Sequence, residues 1–129
     1  MAHANEALIR SGYEAFARGD IDTVLGIFDE DICWHISGRS PISGDYRGHA
    51  EVVGFFSKLH ELSGGTFGLD VHDVLANDDH VVALVADHAQ RDGKSLNTQE
   101  AHIWHVSDGK ATEFWSAPTD QGAVDEFWA

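Results

Sequence analysis

The chain has 129 residues, 43% of them hydrophobic and 23% charged, which suits one domain, 1–129, with a core of its own. Its formal net charge is −14 and no basic stripe offsets it, which argues against nucleic acid and anionic membranes as partners. No stretch approaches the roughly 20 apolar residues of a membrane span, MAHANEALIR lacks an apolar signal core, and the single cysteine, Cys33, excludes an internal disulfide and a Cys-rich zinc site, so the expected setting is cytoplasmic.

Leu8, Ile9, Tyr13, Phe16 and Ala17 recur at helical spacing and predict an amphipathic helix over 4–18. Gly19 stops it, and Asp20 is placed to cap the next. Ile21, Val24, Leu25 and Phe28 predict a second, short helix, and DICWHI (31–36) a strand. The turn-rich segment 37–48 reads as a loop. Val52, Val53, Phe55, Phe56, Leu59 and Leu62 predict a third helix, ended by Gly64-Gly65. Four strands follow, over 66–76, 78–90, 95–106 and 110–118, joined by hairpin-type turns, with a short helix at 121–128. Helix, helix, strand, helix and an antiparallel meander make an α+β fold, with helices packed on one face of a curved sheet. A sheet that curls around its helices is a cone with an internal cavity.

The last hairpin carries the chemistry. Ser107-Asp108-Gly109 fits a three-residue loop, which pairs Trp104 with Thr112, His102 with Phe114 and Glu100 with Ser116. One face then holds Glu100, His102, Trp104, Thr112, Phe114 and Ser116; a two-residue loop would instead bring Trp115 beside His102. On the first face an imidazole sits among aromatics with a carboxylate two residues away. Such a histidine is either a structural group bonded to a neighbour or an acid–base group near neutral pH. Asp87 interrupts the apolar run VVALVADHA, so it either faces solvent or has a partner such as a histidine.

Phe16, Phe55, Phe56, Leu59, Trp104 and Phe114 are core residues, and some of them would line any cavity. Tyr46, in GDYRG, is placed at the cavity mouth, either donating a hydrogen bond to a ligand oxygen or plugging the core. Nine histidines invite a metal, but their spacing brings no three together: His102 and His105 point to opposite faces, and there is no HExxH. Neither a metal nor an organic cofactor is expected.

YEAFARGDIDTVLGIFDEDICWHI, then GDYRGHAEVVGFF, then DGKATEFW resemble, in order and over nearly the whole chain, the SnoaL-like polyketide cyclase branch of the nuclear-transport-factor-2-like superfamily. The resemblance implies the α+β cone, a homodimer, and a small apolar or aromatic, polyketide-like molecule in the cavity. It also implies cofactor-free acid–base chemistry: cyclisation, isomerisation or dehydration. The cyclase histidine position matches His102, while the residue after the final-strand Trp, an Asp in the cyclases, is Ser116. The ketosteroid isomerase positions for the oxyanion tyrosine, the base and the second acid fall on Gly12, Ile36 and His102, so that machinery is not carried over. The resulting assignment gives His102 the acid–base role, Glu100 or Asp87 the role of orienting it, and Trp34, Tyr46, Phe55, Phe56, Leu59, Trp104, Phe114 and Ser116 the ligand contacts. The alternative is a non-catalytic binding or structural module of the same fold.

Overall fold

The computed structural model describes residues 2–129. Helix α1 (Ala4–Ala17) turns Ile9, Gly12 and Ala15 fully inward, with Tyr13 and Phe16 half-buried beside them. Gly19, at φ +72°, ends the turn that follows, and Asp20 caps α2 (Ile21–Gly26) by accepting from the Thr23 amide, as its position predicts. Phe28 does not extend this helix. It opens strand β1 (Phe28–Ile36), where it lies opposite Ala111. The segment expected to be all loop contains a four-residue edge strand, β2 (Gly44–Arg47), paired only with β1.

Helix α3 (Gly48–Leu62) buries Val52, Phe55 and Leu59 at helical spacing. Strands β3 (Gly68–Ala76), β4 (His80–Arg91), β5 (Lys94–Ser107) and β6 (Lys110–Pro118) form the expected meander. The sheet runs β2-β1-β6-β5-β4-β3; β1 and β6 are parallel and the other pairs antiparallel. Helix α1 packs on β3 and β4, α3 on β1 and β2, and α4 (Gln121–Trp128) on β5 and β6. The helices and the concave face of the sheet enclose the core between them. Arg91 and Lys94 donate to the carbonyls of Phe127, Ala129 and Glu126 and so anchor the end of α4 to the β4–β5 turn.

The last hairpin differs from its predicted register. Asp108 and Gly109, at φ +51° and +73°, make a two-residue turn, so Ser107 faces Lys110 and Val106 faces Ala111. Alone, that would turn Phe114 outward and Trp115 inward. A β-bulge at Thr112 restores the parity: His105 faces Glu113, Trp104 faces Phe114 and His102 faces Ser116. The expected face therefore survives with different pairs, except that the bulged Thr112 no longer sits opposite Trp104.

Candidate functional site

Alternation along β4 and β5 builds the site. On β4, Val81, Ala83, Val85 and Asp87 face inward; on β5, Glu100, His102 and Trp104 do. Glu100 lies opposite Val85 and His102 opposite Ala83, which brings Asp87 diagonally against Glu100. Asp87, Glu100 and His102 are only 5%, 8% and 6% exposed. Buried ionisable groups need partners, and these partner one another.

His102 has both ring nitrogens engaged: Nε2 with Glu100 Oε1 at 3.0 Å and Nδ1 with the Tyr13 hydroxyl at 2.6 Å. Trp104 Nε1 donates to the same hydroxyl at 3.2 Å. One placement of protons satisfies the chain: Trp104 N–H to Tyr13, Tyr13 O–H to Nδ1, and Nε2–H to the Glu100 carboxylate. Tyr13 is half-buried, but its hydroxyl end is deep, and burial pushes its pKa well above the ordinary value, so it stays neutral.

The two carboxyl groups are driven apart. Burial, reinforced by the hydrogen bond and negative charge of Glu100, pushes Asp87 up to about 10. Burial also opposes a charge on Glu100, but hydrogen bonds with His102 and Asp87 outweigh it and hold Glu100 below the ordinary range. Near neutral pH the pair is one carboxylic acid beside one carboxylate. Among the described residues Asp87 Oδ1 has no hydrogen-bond donor, which a neutral acid tolerates far better than an ion. Such an acid donates to Glu100 through one oxygen and keeps the other for whatever fills the space beside it.

That space is an apolar chamber of about 100 Å³. Trp34, Phe55, Phe56, Leu59, Trp104, Phe114 and Ser116 line it together with the acidic cluster. Trp34 and Phe114 stack at 3.8 Å, with Trp104 against both. Trp34 Nε1 is the second buried side-chain polar atom without a partner among the described residues. Ligand pockets for drug-sized molecules start near 300 Å³, so the chamber alone holds one small ring at most.

Some placements differ from expectation. Tyr46 is not at the mouth: it stands on β2 against Phe55, and its hydroxyl donates to the Ile42 carbonyl at 2.7 Å. That bond leaves no free O–H for a ligand and makes Tyr46 a plug of the core. His102 offers no free nitrogen, so the oxygens of Asp87 and Glu100 become the atoms available for proton transfer. Ser116 lies opposite His102, but its hydroxyl accepts from the Ser37 amide at 3.3 Å. Three candidate metal ligands do converge, contrary to the expectation drawn from histidine spacing alone: atoms of Asp87, Glu100 and His102 lie within 4.8 Å of one another. They are the residues that would hold a cation, which would have to displace the Asp87 proton and the His102–Glu100 bond.

Tyr13 is the site residue that sequence reasoning missed. Its spacing places it in the apolar stripe of α1, one residue from the position that the isomerase tyrosine matches. The available signal was its phenol, since a tyrosine on an inward helix face needs a polar partner.

The sequence model of the SnoaL-like domain family matches residues 9–114. The chain is similar to an uncharacterized protein of Mycobacterium tuberculosis, Rv0034, with 32% identity over 123 residues, 95% of this chain and 94% of that protein. Bal32a, from a soil-derived mobile gene cassette, is 34% identical with a TM-score of 0.94, covering 98% of this chain and 97% of its own. TerC, co-crystallized with polyporic acid, shares the fold at a TM-score of 0.86 and 24% identity, covering 97% of this chain and 98% of its own. Other solved structures of this shape are described as cystatin-like and NTF2-like. The chain belongs to the SnoaL-like domain family and has its NTF2-like α+β fold.

Proposed function

We propose that this protein binds a small, uncharged, largely apolar molecule in the chamber and moves a proton on it without a cofactor, in a cyclisation, isomerisation or dehydration. The observation that carries the reading is the buried pair of Asp87, neutral, and Glu100, ionised, beside apolar walls. Carboxyl groups whose environments split their pKa values are placed to act as acid and base. The net charge of −14 argues against an anionic ligand. TerC, a neighbour in fold, supplies a precedent for a small molecule bound to this architecture.

The roles follow from the proton inventory. Asp87 has a proton to give once its O–H turns from Glu100 to the substrate, and Glu100, released from that bond, has a lone pair to take one. A substrate that loses a proton from carbon to Glu100 and gains one from Asp87 leaves the pair with its proton exchanged; passage between the two oxygens restores the start. His102 holds Glu100 ionised through Nε2–H, and Tyr13, held by Trp104, fixes the imidazole from the other side. A carboxylate held below its ordinary range is a weak base, so the carbon acid must already be acidified, as beside a carbonyl. Trp34 Nε1, without a partner among the described residues, is the N–H that would meet that carbonyl.

The test is exchange of the α-protons of cyclohexanone, a one-ring ketone, with D2O, followed by proton NMR at neutral pD. The wild-type chain should accelerate exchange by about a hundredfold or more, and Glu100→Gln should abolish the effect. No acceleration over buffer overturns catalysis. It would favour the second reading, a binding module, which the engagement of both His102 nitrogens and the serine at position 116 support.

A further inference from the structure

The chamber is too small for a two-ring molecule, yet it has a neighbour. A groove of about 440 Å³ lies outside it between α1 and β3. Tyr13, Phe16, Phe67 and Leu69 line both spaces. All four are half-buried, with one side toward the core and one toward solvent. They form the partition, and Tyr13 on it carries the hydroxyl that holds His102.

We propose that this groove is the second subsite and the entrance: a two-ring ligand puts its hydroxyl- or carbonyl-bearing ring in the chamber and an uncharged apolar ring between α1 and β3. This rests on the chamber being a ligand site. Three observations carry it. The inner volume is too small by itself. The two spaces share one wall of side chains, which can turn without breaking backbone hydrogen bonds. The basic side chains at the groove already have acidic neighbours: Arg10 is paired with Glu6 at 3.1 Å and faces Asp73 at 4.0 Å, and His88 faces Asp70 at 3.8 Å. With Glu14 also at the groove, an anionic outer group finds carboxylates on several sides, whereas a neutral ring finds Phe16, Phe67, Leu69 and Val71.

The experiment is calorimetric titration of the full chain with phenol, 4-phenylphenol and 4′-hydroxybiphenyl-4-carboxylate. Ala17→Trp and Val71→Trp, two substitutions that fill the groove and touch neither the chamber nor the cluster, are compared with wild type after their melting temperatures are checked. Wild type should bind 4-phenylphenol about tenfold tighter than phenol, the factor for roughly 60 Å² of extra apolar burial. Both variants should lose that advantage while phenol binding stays unchanged, and the biphenyl carboxylate should gain nothing over phenol. If phenol binds wild type and the second ring adds no affinity, or adds it equally in both variants, the groove subsite is wrong and the chamber reading stands. If the carboxylate binds as tightly as 4-phenylphenol, the preference for a neutral outer ring is wrong. If none of the three binds wild type, the chamber reading falls and takes this one with it.

Discussion

Replacing Asp87 by asparagine should stabilise the protein, and by more as the pH rises. Asp87 keeps its proton in the folded chain up to about 10, against an ordinary value of 3.8. Between those values the unfolded chain has released a proton that the folded chain still binds, so wild-type stability declines as pH increases. One proton is worth about 1.4 kcal/mol per pH unit, or about 2.7 kcal/mol between pH 6 and pH 8. Asparagine occupies the same space, stays neutral and keeps an N–H for Glu100, so it removes this slope. Titrations elsewhere in the chain are common to both proteins and cancel in the difference. Urea unfolding at pH 6, 7, 8 and 9 gives that difference directly. The advantage of Asp87→Asn should grow with pH, approaching one proton's slope, while cyclohexanone exchange is lost. A difference that stays flat across this range means Asp87 ionises normally in the fold, and the acid assignment collapses.

Tyr13→Phe removes the hydroxyl shared by His102 and Trp104 and strands two buried nitrogens; a loss of about 1–3 kcal/mol is expected by urea unfolding. On the outer face, partial burial opposes a charge on His35, but hydrogen bonds to Asp45 and Glu113, 2.7 Å each, outweigh it and raise its pKa. Its ring protons should titrate above the ordinary 6.5 in an NMR titration, and His35→Gln should cost up to about 1 kcal/mol at low pH. That loss should shrink as pH rises through the raised value, since a neutral His35 no longer profits from the two carboxylates. Deleting Thr112 removes the extra residue and leaves an unbroken ladder with Trp104 still opposite Phe114 and His102 opposite Ser116. The variant should keep a dispersed, native-like amide NMR spectrum; a collapsed spectrum would show that Thr112 is not the residue that sets the register.

The helices were legible because their apolar stripes repeat at 3.6 residues: Ile9 and Phe16 on α1, and Val52, Phe55 and Leu59 on α3, stand as their spacing predicts. Phe28 fitted the same period after Val24 but belongs to β1, because its partner, Ala111, is more than eighty residues away in sequence. Strand β2 was hidden by its flanking glycines and short length, and the parallel β1–β6 contact has no local signature. At the site, period-two alternation was enough to put Glu100, His102, Trp104, Phe114 and Ser116 on one face. The turn itself is tighter than the three-residue loop: Asp108-Gly109 makes a two-residue turn, and the bulge at Thr112, which nothing local announces, undoes the slip. Asp87 was recognisable as a buried acid in need of a partner, but its diagonal approach to Glu100 depends on the β4–β5 register. Tyr13 and the groove both lie where α1 crosses the sheet, a contact between distant segments that no periodicity encodes.

The most direct measurement is a crystal structure of the chain with 4-phenylphenol. The hydroxyl-bearing ring should lie between Trp34, Trp104 and Phe114, its oxygen within hydrogen-bond distance of the Asp87 carboxyl, and the second ring between α1 and β3 past turned side chains of Phe16 and Phe67. A ligand found only on the outer surface of the sheet, with the chamber and Tyr13 as they stand now, would contradict it.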